Sequence, residues 1–441
     1  MTNYIFLFLM LLFTFIAFVA SNKNIFSPSF IICSVFTLSS LFVVFNYENW
    51  RYSISLKLLV YLSLALFLTI IGIYIGNKAT LVSKKSSVDE GIYNDIKIYF
   101  ISSRTMIILS IISLAVIYLY YRHQYAVSVS LGNRAGVIGM IYTLRQNVHN
   151  EETFQIGTVL NIGVAYLRGV GFLSIFLMIY SLVIEKKFHI KYSIPIICLI
   201  IYNLLATGRG AFIGVICAII YDFYYCLYSK GKIVFSGKMI KYLAMGLIGF
   251  IIIFWQIGKI TGSSSVMNLW DTLSIYIGSS ILCFDSYISG LNSYNYIGTN
   301  TFKGIYNILA RFGFNVTTVS NHADMVRWSK YSSNIYTAFS PYYADYGFLF
   351  SFAFILFAAF IIGVTWKSLH RHSSNIIMPF FYSRYVAGAA AMYSIAERLF
   401  SNVLALNAIV EILFTLLAIK YLVKIKKDFD DVVGVDIIIL T

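Results

Sequence analysis

Apolar runs of about twenty residues recur along the whole of this 441-residue chain, separated mostly by short polar turns. A run of that kind lies in hydrocarbon only as a helix, because each backbone amide and carbonyl must find its partner within the segment. The roughly ten-residue alternating strands of a membrane-spanning barrel are absent. Hydrophobic residues make up 59% of the chain and charged residues only 12%, with a mean hydropathy of +0.79. A soluble domain carries about twice that charge. The expected fold is therefore an all-α polytopic membrane protein, one integral membrane domain over residues 1–441. Spans are expected at residues 4–20, 30–45, 56–76, 106–121, 159–184, 192–207, 210–228, 242–258, 347–366, 376–395 and 403–423, about eleven in all. The first run precedes the first basic residue, Lys23, so it lacks the positive start of a cleavable signal and reads as a span.

The formal net charge is +15. In a membrane protein such an excess belongs to loops on the cytoplasmic side rather than to a nucleic-acid partner. Lysines do collect in short segments, around Lys23, Lys84, Lys187, Lys232, Lys367 and Lys426. That side is expected to be cytoplasmic and to hold the C-terminus, and eleven spans then put the N-terminus outside. The five cysteines, Cys33, Cys198, Cys217, Cys226 and Cys283, show no CxxC or Cys/His grouping and read as small apolar residues. Two long segments, about 122–158 and 259–346, fall on the outer side. The second is too apolar and aromatic for a linker. Val266–Tyr276 and Ile305–Phe312 space their apolar residues helically and are expected at the membrane interface, or re-entering its edge. The cytoplasmic loops are too short for a nucleotide-binding module, and no GxxxxGK[ST] occurs.

Arginine is distributed differently from lysine. Leu204-Leu205-Ala206-Thr207-Gly208-Arg209-Gly210-Ala211-Phe212-Ile213-Gly214 puts a cation between glycines at the junction of two apolar runs. An ionisable group at that depth is costly and reads as functional. The flanking glycines let a ligand approach the backbone, and guanidinium is well matched to phosphate oxygens. Arg134, Arg145, Arg168, Arg311, Arg327, Arg384 and Arg398 complete the outer group, with Arg122 beside them. Singly, each also fits a snorkelling or paired residue. Gathered round one outward cavity, they would hold a diphosphate.

Two further stretches carry polar chemistry. Asn334-Ile335-Tyr336-Thr337 leads through Asp345-Tyr346-Gly347 into an apolar run. Asp345 is expected at a helix start, where it either caps amides or accepts from a sugar hydroxyl. His322, in Asn321-His322-Ala323-Asp324, is a possible proton acceptor, with His123 and His149 as rivals in the other long segment; a solvated loop histidine is the simpler reading. No HExxH, catalytically spaced carboxylate pair or GxSxG is present, so neither a metal site nor a serine hydrolase is supported.

The Thr207–Gly214 stretch and the Asn334-x-Tyr336-Thr337…Asp345-x-Gly347 stretch resemble the Wzy-type O-antigen polymerases, the oligosaccharide repeat-unit polymerases of bacterial inner membranes. The layout of many spans, a moderate outer loop and a large later one is similar too. The resemblance implies a GT-C-like fold and a membrane glycosyltransferase without a cofactor, working at the periplasmic face. Both donor and acceptor would be undecaprenyl-diphosphate-linked glycans held among membrane lipid, with a chain-length regulator protein as a further partner. The residue patterns themselves put forward Arg209, His322 and Asp345 as the candidate catalytic residues for such a transfer. Arg134, Arg145, Arg168, Arg311, Arg327, Arg384, Arg398, Asn334 and Tyr336 would bind substrate. An O-antigen ligase, and a flippase or transporter of the same lipid-linked glycan, stay open as alternatives. The outer bias of the arginines and the lack of a visible repeat argue against a transporter.

Overall fold

The computed structural model describes residues 1–79, 98–133, 136–147, 156–206, 210–230, 249, 255–256, 258, 268–290, 298–319, 324–369 and 376–426. Among them, seven helices are long and apolar enough to cross a membrane: Thr2–Ala20, Pro28–Phe45, Leu56–Lys78, Ser103–Ser130, Thr158–Glu185, Gly210–Ser229 and Phe339–Leu369. Each coincides with an expected span. Their outer faces are apolar: Phe8, Leu11, Phe15 and Val19 of the first helix are exposed, as lipid-facing residues must be. The protein is an all-α, multi-pass membrane protein.

The remaining expected spans differ for local reasons. Residues 192–207 yield a shorter helix, Ser193–Leu205, and residues 403–423 yield Leu406–Tyr421. Residues 376–395 do not form one helix. Ile377–Phe381 passes into a π-helical turn, Tyr382–Val386, then Ala387–Ala391, and the chain turns after Met392. Nearly all of 242–258 lies outside the described residues.

The described parts of both long segments include helices. Helix Ser103–Ser130 continues well past the expected boundary at 121, because its buried stripe of Tyr120, Gln124 and Ser128 continues at four-residue spacing. Gly136–Gln146 adds another helix. In the second segment, Leu269–Ser289 is a helix buried on all sides over residues 278–285, packed against the connection between Pro28–Phe45 and Leu56–Lys78. Gly278 packs on Phe42 and Trp50. Trp270 Nε1 donates to Asn46 Oδ1 at 3.1 Å, and Asn46 Nδ2 donates to Ser274 Oγ at 3.0 Å. Asp285 accepts from the Ser55 amide at 2.9 Å. The expected interfacial helix is thus a packed one.

The closest helix pair is Leu56–Lys78 against Phe339–Leu369. Gly72, Gly76 and Gly363 bring backbone onto backbone, and a Cβ at any of them would collide with the partner helix. Lysines close the same end of several helices. Lys367 Nζ donates to Ala79 O at 2.9 Å, and Lys191 Nζ to Ile101 O at 2.7 Å. Lys230 reaches the carbonyl of Val183. Strand Ile98–Ile101 pairs antiparallel with Val423–Lys426 at this end. Cations at helix C-termini satisfy orphan carbonyls and complement the helix dipole.

Candidate functional site: an arginine-lined cavity

Helices Thr158–Tyr180 and Leu406–Tyr421 run side by side toward the lysine-bearing end. They touch closely where Gly169 faces Glu411 and Thr415; a Cβ on Gly169 would lie 2.7 Å from Thr415 Oγ1. One residue before that glycine, Arg168 Nη2 meets Glu411 Oε2 at 3.0 Å. The π-helical turn supplies a second cation to the same carboxylate. Arg384 Nε donates to Glu411 Oε1 at 2.8 Å and its Nη2 to Oε2 at 3.3 Å, while Tyr385 Oη donates to Oε1 at 3.0 Å. A π turn inserts an extra residue into the helical spacing, a device common at functional sites. Here it lets successive residues 384 and 385 both reach Glu411. The Arg384 guanidinium also lies over the Phe172 ring, its Cζ 3.7 Å from the centroid.

Glu411 is 1% exposed, Arg384 11% and Arg168 28%. The carboxylate is buried and the guanidiniums open, by increasing degrees, toward a cavity of about 350 Å³. Arg398 enters that cavity from the segment after the broken helix. Among the described residues no carboxylate ion-pairs with it. Its neighbour Glu397 is engaged elsewhere, accepting from the backbone amides of Leu399, Phe400 and Ser401 at 2.7–2.8 Å. Burial, and then the nearby charges of Arg384 and Arg168, push the Arg398 guanidinium's pKa below its ordinary value. Among the described residues, three guanidiniums and one ion-paired carboxylate give this cavity an excess of two positive charges. Asn203, Asn402 and Asn407 add carboxamides to the wall; Asn203 Nδ2 is buried without a hydrogen-bond partner.

The glycines of the Gly208-Arg209-Gly210 motif acquire a different meaning. Gly210 and Gly214 lie one turn apart on helix Gly210–Ser229 and both line the cavity. A Cβ on Gly210 would sit 2.6 Å from Arg398 Nη2, and one on Gly214 would sit 3.9 Å from Arg384 Nη1. Gly210 makes room for the Arg398 guanidinium, whereas the contact at Gly214 is an ordinary one. Thr207, Gly208 and Arg209 lie outside the described residues; Ala206 and Gly210, which bracket them, are on the cavity wall.

The structure therefore brings together Arg168, Arg384 and Arg398 of the outer arginines. Arg311 lines a second, adjoining cavity. Arg145 is half-buried in the last turn of Gly136–Gln146, and Arg327 is exposed on strand Val326–Trp328; neither lines the arginine cavity. Arg134, His322 and His149 lie outside the described residues. Tyr336 is half-buried, donating its hydroxyl to Asp324 O at 3.1 Å, and Asn334 is half-buried beside it; neither borders the cavity.

Asp345 is fully buried and does not line the cavity. Its Oδ1 accepts from the Asn300 amide (3.1 Å) and Nδ2 (2.8 Å), and its Oδ2 from the Thr301 amide and hydroxyl, both at 2.7 Å. Contrary to the expectation from the sequence, it does not stand at a helix start. Phe339–Leu369 is already helical before it, and Gly347 (φ 69°) kinks the helix just after. Its capping is of the turn that leads into helix Lys303–Arg311.

Glu411 and the asparagines were missed in the sequence. The available signal was a lone carboxylate in the apolar run Ile409-Val410-Glu411-Ile412, which calls for a buried cationic partner. Among the described residues no group of three His, Cys, Asp or Glu side chains is placed to hold a metal ion. No family model matches the chain, and neither curated proteins nor solved structures give a match. Fold and site define a multi-pass helical membrane protein with a partly neutralised arginine cavity, away from the bundle end that holds Lys191, Lys230 and Lys367.

Proposed function

We propose that this chain is a membrane glycosyltransferase that polymerises undecaprenyl-diphosphate-linked oligosaccharide repeat units at the periplasmic face of a bacterial inner membrane. The observation that carries the reading is the cavity shared by Arg168, Arg384 and Arg398. Its two surplus positive charges complement the two negative charges of a diphosphate diester. Arginine forks bind such a group without a metal. Glu411 holds two of the guanidiniums in place, and Arg398 keeps its donors for the ligand.

In the transfer, the acceptor hydroxyl oxygen forms a bond to the anomeric carbon of the donor's first sugar. The bond from that carbon to the diphosphate oxygen breaks, and the lipid diphosphate leaves with the electron pair. The hydroxyl proton passes to solvent or to a nearby base. Charge grows on the diphosphate as the bond breaks, so donors fixed around it lower the barrier. Lysines at a bundle end away from this cavity agree with its facing away from the cytoplasm.

The test is the lipid-linked glycan that accumulates in cells lacking the protein. Single repeat units on undecaprenyl diphosphate are expected, and re-expression should restore the ladder. Full-length unattached polymer would mean a ligase, and units confined to the cytoplasmic leaflet would mean a flippase.

A further inference from the structure

The arginine cavity has a neighbour. A second cavity, also of about 350 Å³, is lined by Lys303, Asn307 and Arg311 on one side and by Ser401, Asn402 and Asn407 on the other. Asn402, Ala405 and Asn407 belong to both walls. Lys303, Asn307 and Arg311 recur every four residues, so they form one stripe along helix Lys303–Arg311. The stripe is held firmly from two directions. Gly304 presses its backbone onto the chain at Leu404 and Ala405, where a Cβ would lie 2.7 Å from Ala405 N. Asp345 fixes the turn before the helix through four hydrogen bonds. A site with supports of this kind presents its side chains at fixed spacing.

Its chemistry is specific. Three carboxamides offer donors and acceptors at once, the pattern that sugar hydroxyls need, and the Ser401 hydroxyl, which donates to Glu397 O at 2.7 Å, adds an acceptor. Two cations join them, and no carboxylate lines the cavity. Arg311 makes no ion pair among the described residues. Neutral sugar recognition does not call for an uncompensated guanidinium, whereas a sugar carboxylate does. Position agrees. In a glycosyl diphosphate the first sugar is bonded directly to the diphosphate, so its site must adjoin the diphosphate site.

We propose that this second cavity is a subsite for a sugar bearing a carboxylate, a uronic-acid-type residue, next to the diphosphate. The inference rests on the proposed function, and it adds the class of sugar that the site takes.

The experiment uses the full chain in lipid nanodiscs and three probes: methyl glucuronide, methyl glucoside and farnesyl diphosphate. The glucuronide should bind roughly tenfold more tightly than the glucoside. Arg311→Gln should remove that preference while farnesyl diphosphate binds as in wild type; Asn307→Ala should weaken both sugars. Arg398→Gln should lose farnesyl diphosphate. Thermal unfolding confirms that each variant is folded. Equal binding of the two sugars, a preference that survives Arg311→Gln, or equal displacement of the glucuronide by inorganic phosphate overturns the subsite, the last by making it a general anion or lipid-headgroup site. If wild-type protein fails to bind farnesyl diphosphate, the diphosphate cavity falls and the subsite with it. If it binds farnesyl diphosphate but shows no sugar preference, the subsite alone is wrong.

Discussion

Substituting Glu411 by glutamine changes one atom in the centre of the arginine cluster, and its effect follows from the geometry. The carboxylate ion-pairs with Arg168 Nη2 and accepts twice from Arg384 and once from Tyr385. Glutamine keeps one oxygen, which can serve Arg384 Nε and Tyr385 at the Oε1 position. Its amide nitrogen then faces Arg168 Nη2 and the second Arg384 contact, donor against donor. One hydrogen bond to a charged group, worth about 1.5–3 kcal/mol, is lost together with the Arg168 ion pair. Two guanidiniums are left without their counter-charge, and breaking a buried pair from one side costs about 3–5 kcal/mol. The expected destabilisation is about 3–5 kcal/mol, read as a lower unfolding temperature in nanodiscs. Adding Arg168→Met should recover part of it, because one stranded charge is removed. A Glu411→Gln variant that unfolds with the wild type, or a double variant that is simply additive, would refute the account of the cluster.

Other substitutions separate structural from functional cations. Arg398→Gln should leave stability equal or higher, since burial, Arg384 and Arg168 all disfavour its charge. It should slow polymerisation roughly a hundredfold, the effect of losing one donor to a developing anion; a stability loss with normal turnover would contradict this. Gly210→Ala suits the helix and should not destabilise it. Its Cβ would displace the Arg398 guanidinium, a shift on the order of 1 Å that can cost about a hundredfold in rate, and unchanged turnover would show that Arg398 need not sit there. Asp345→Asn should destabilise by about 2–4 kcal/mol by disrupting charge-assisted bonds to Asn300 and Thr301. Lost activity at unchanged stability would instead return Asp345 to the chemistry.

The parts of the fold visible in the sequence are those set by local composition. A run such as Leu56–Lys78 is apolar whatever it packs against, so its helix is readable directly. Breaks set by distant partners are not. Ala387-Gly388-Ala389-Ala390-Ala391 reads as the continuation of a span, yet the helix changes register where Arg384 and Tyr385 turn to Glu411, on another helix. The gathering of Arg168, Arg384 and Arg398 was legible as a surplus of outer arginine, but which of them meet was not. Asp345 shows the limit from the other side. Its place before Gly347 suggests a helix start, while its ligands are Asn300 and Thr301, more than forty residues earlier in the chain.

The central claim is that the Arg168–Arg384–Arg398 cavity holds the leaving diphosphate of a polymerising glycosyltransferase. Its most direct test is purified protein in nanodiscs given undecaprenyl-diphosphate-linked single repeat units. A ladder spaced by one repeat unit is expected, with one undecaprenyl diphosphate released per linkage formed. Arg398→Gln, folded as the wild type is, should give almost none of either. Wild-type ladder and diphosphate release from that variant would contradict the claim.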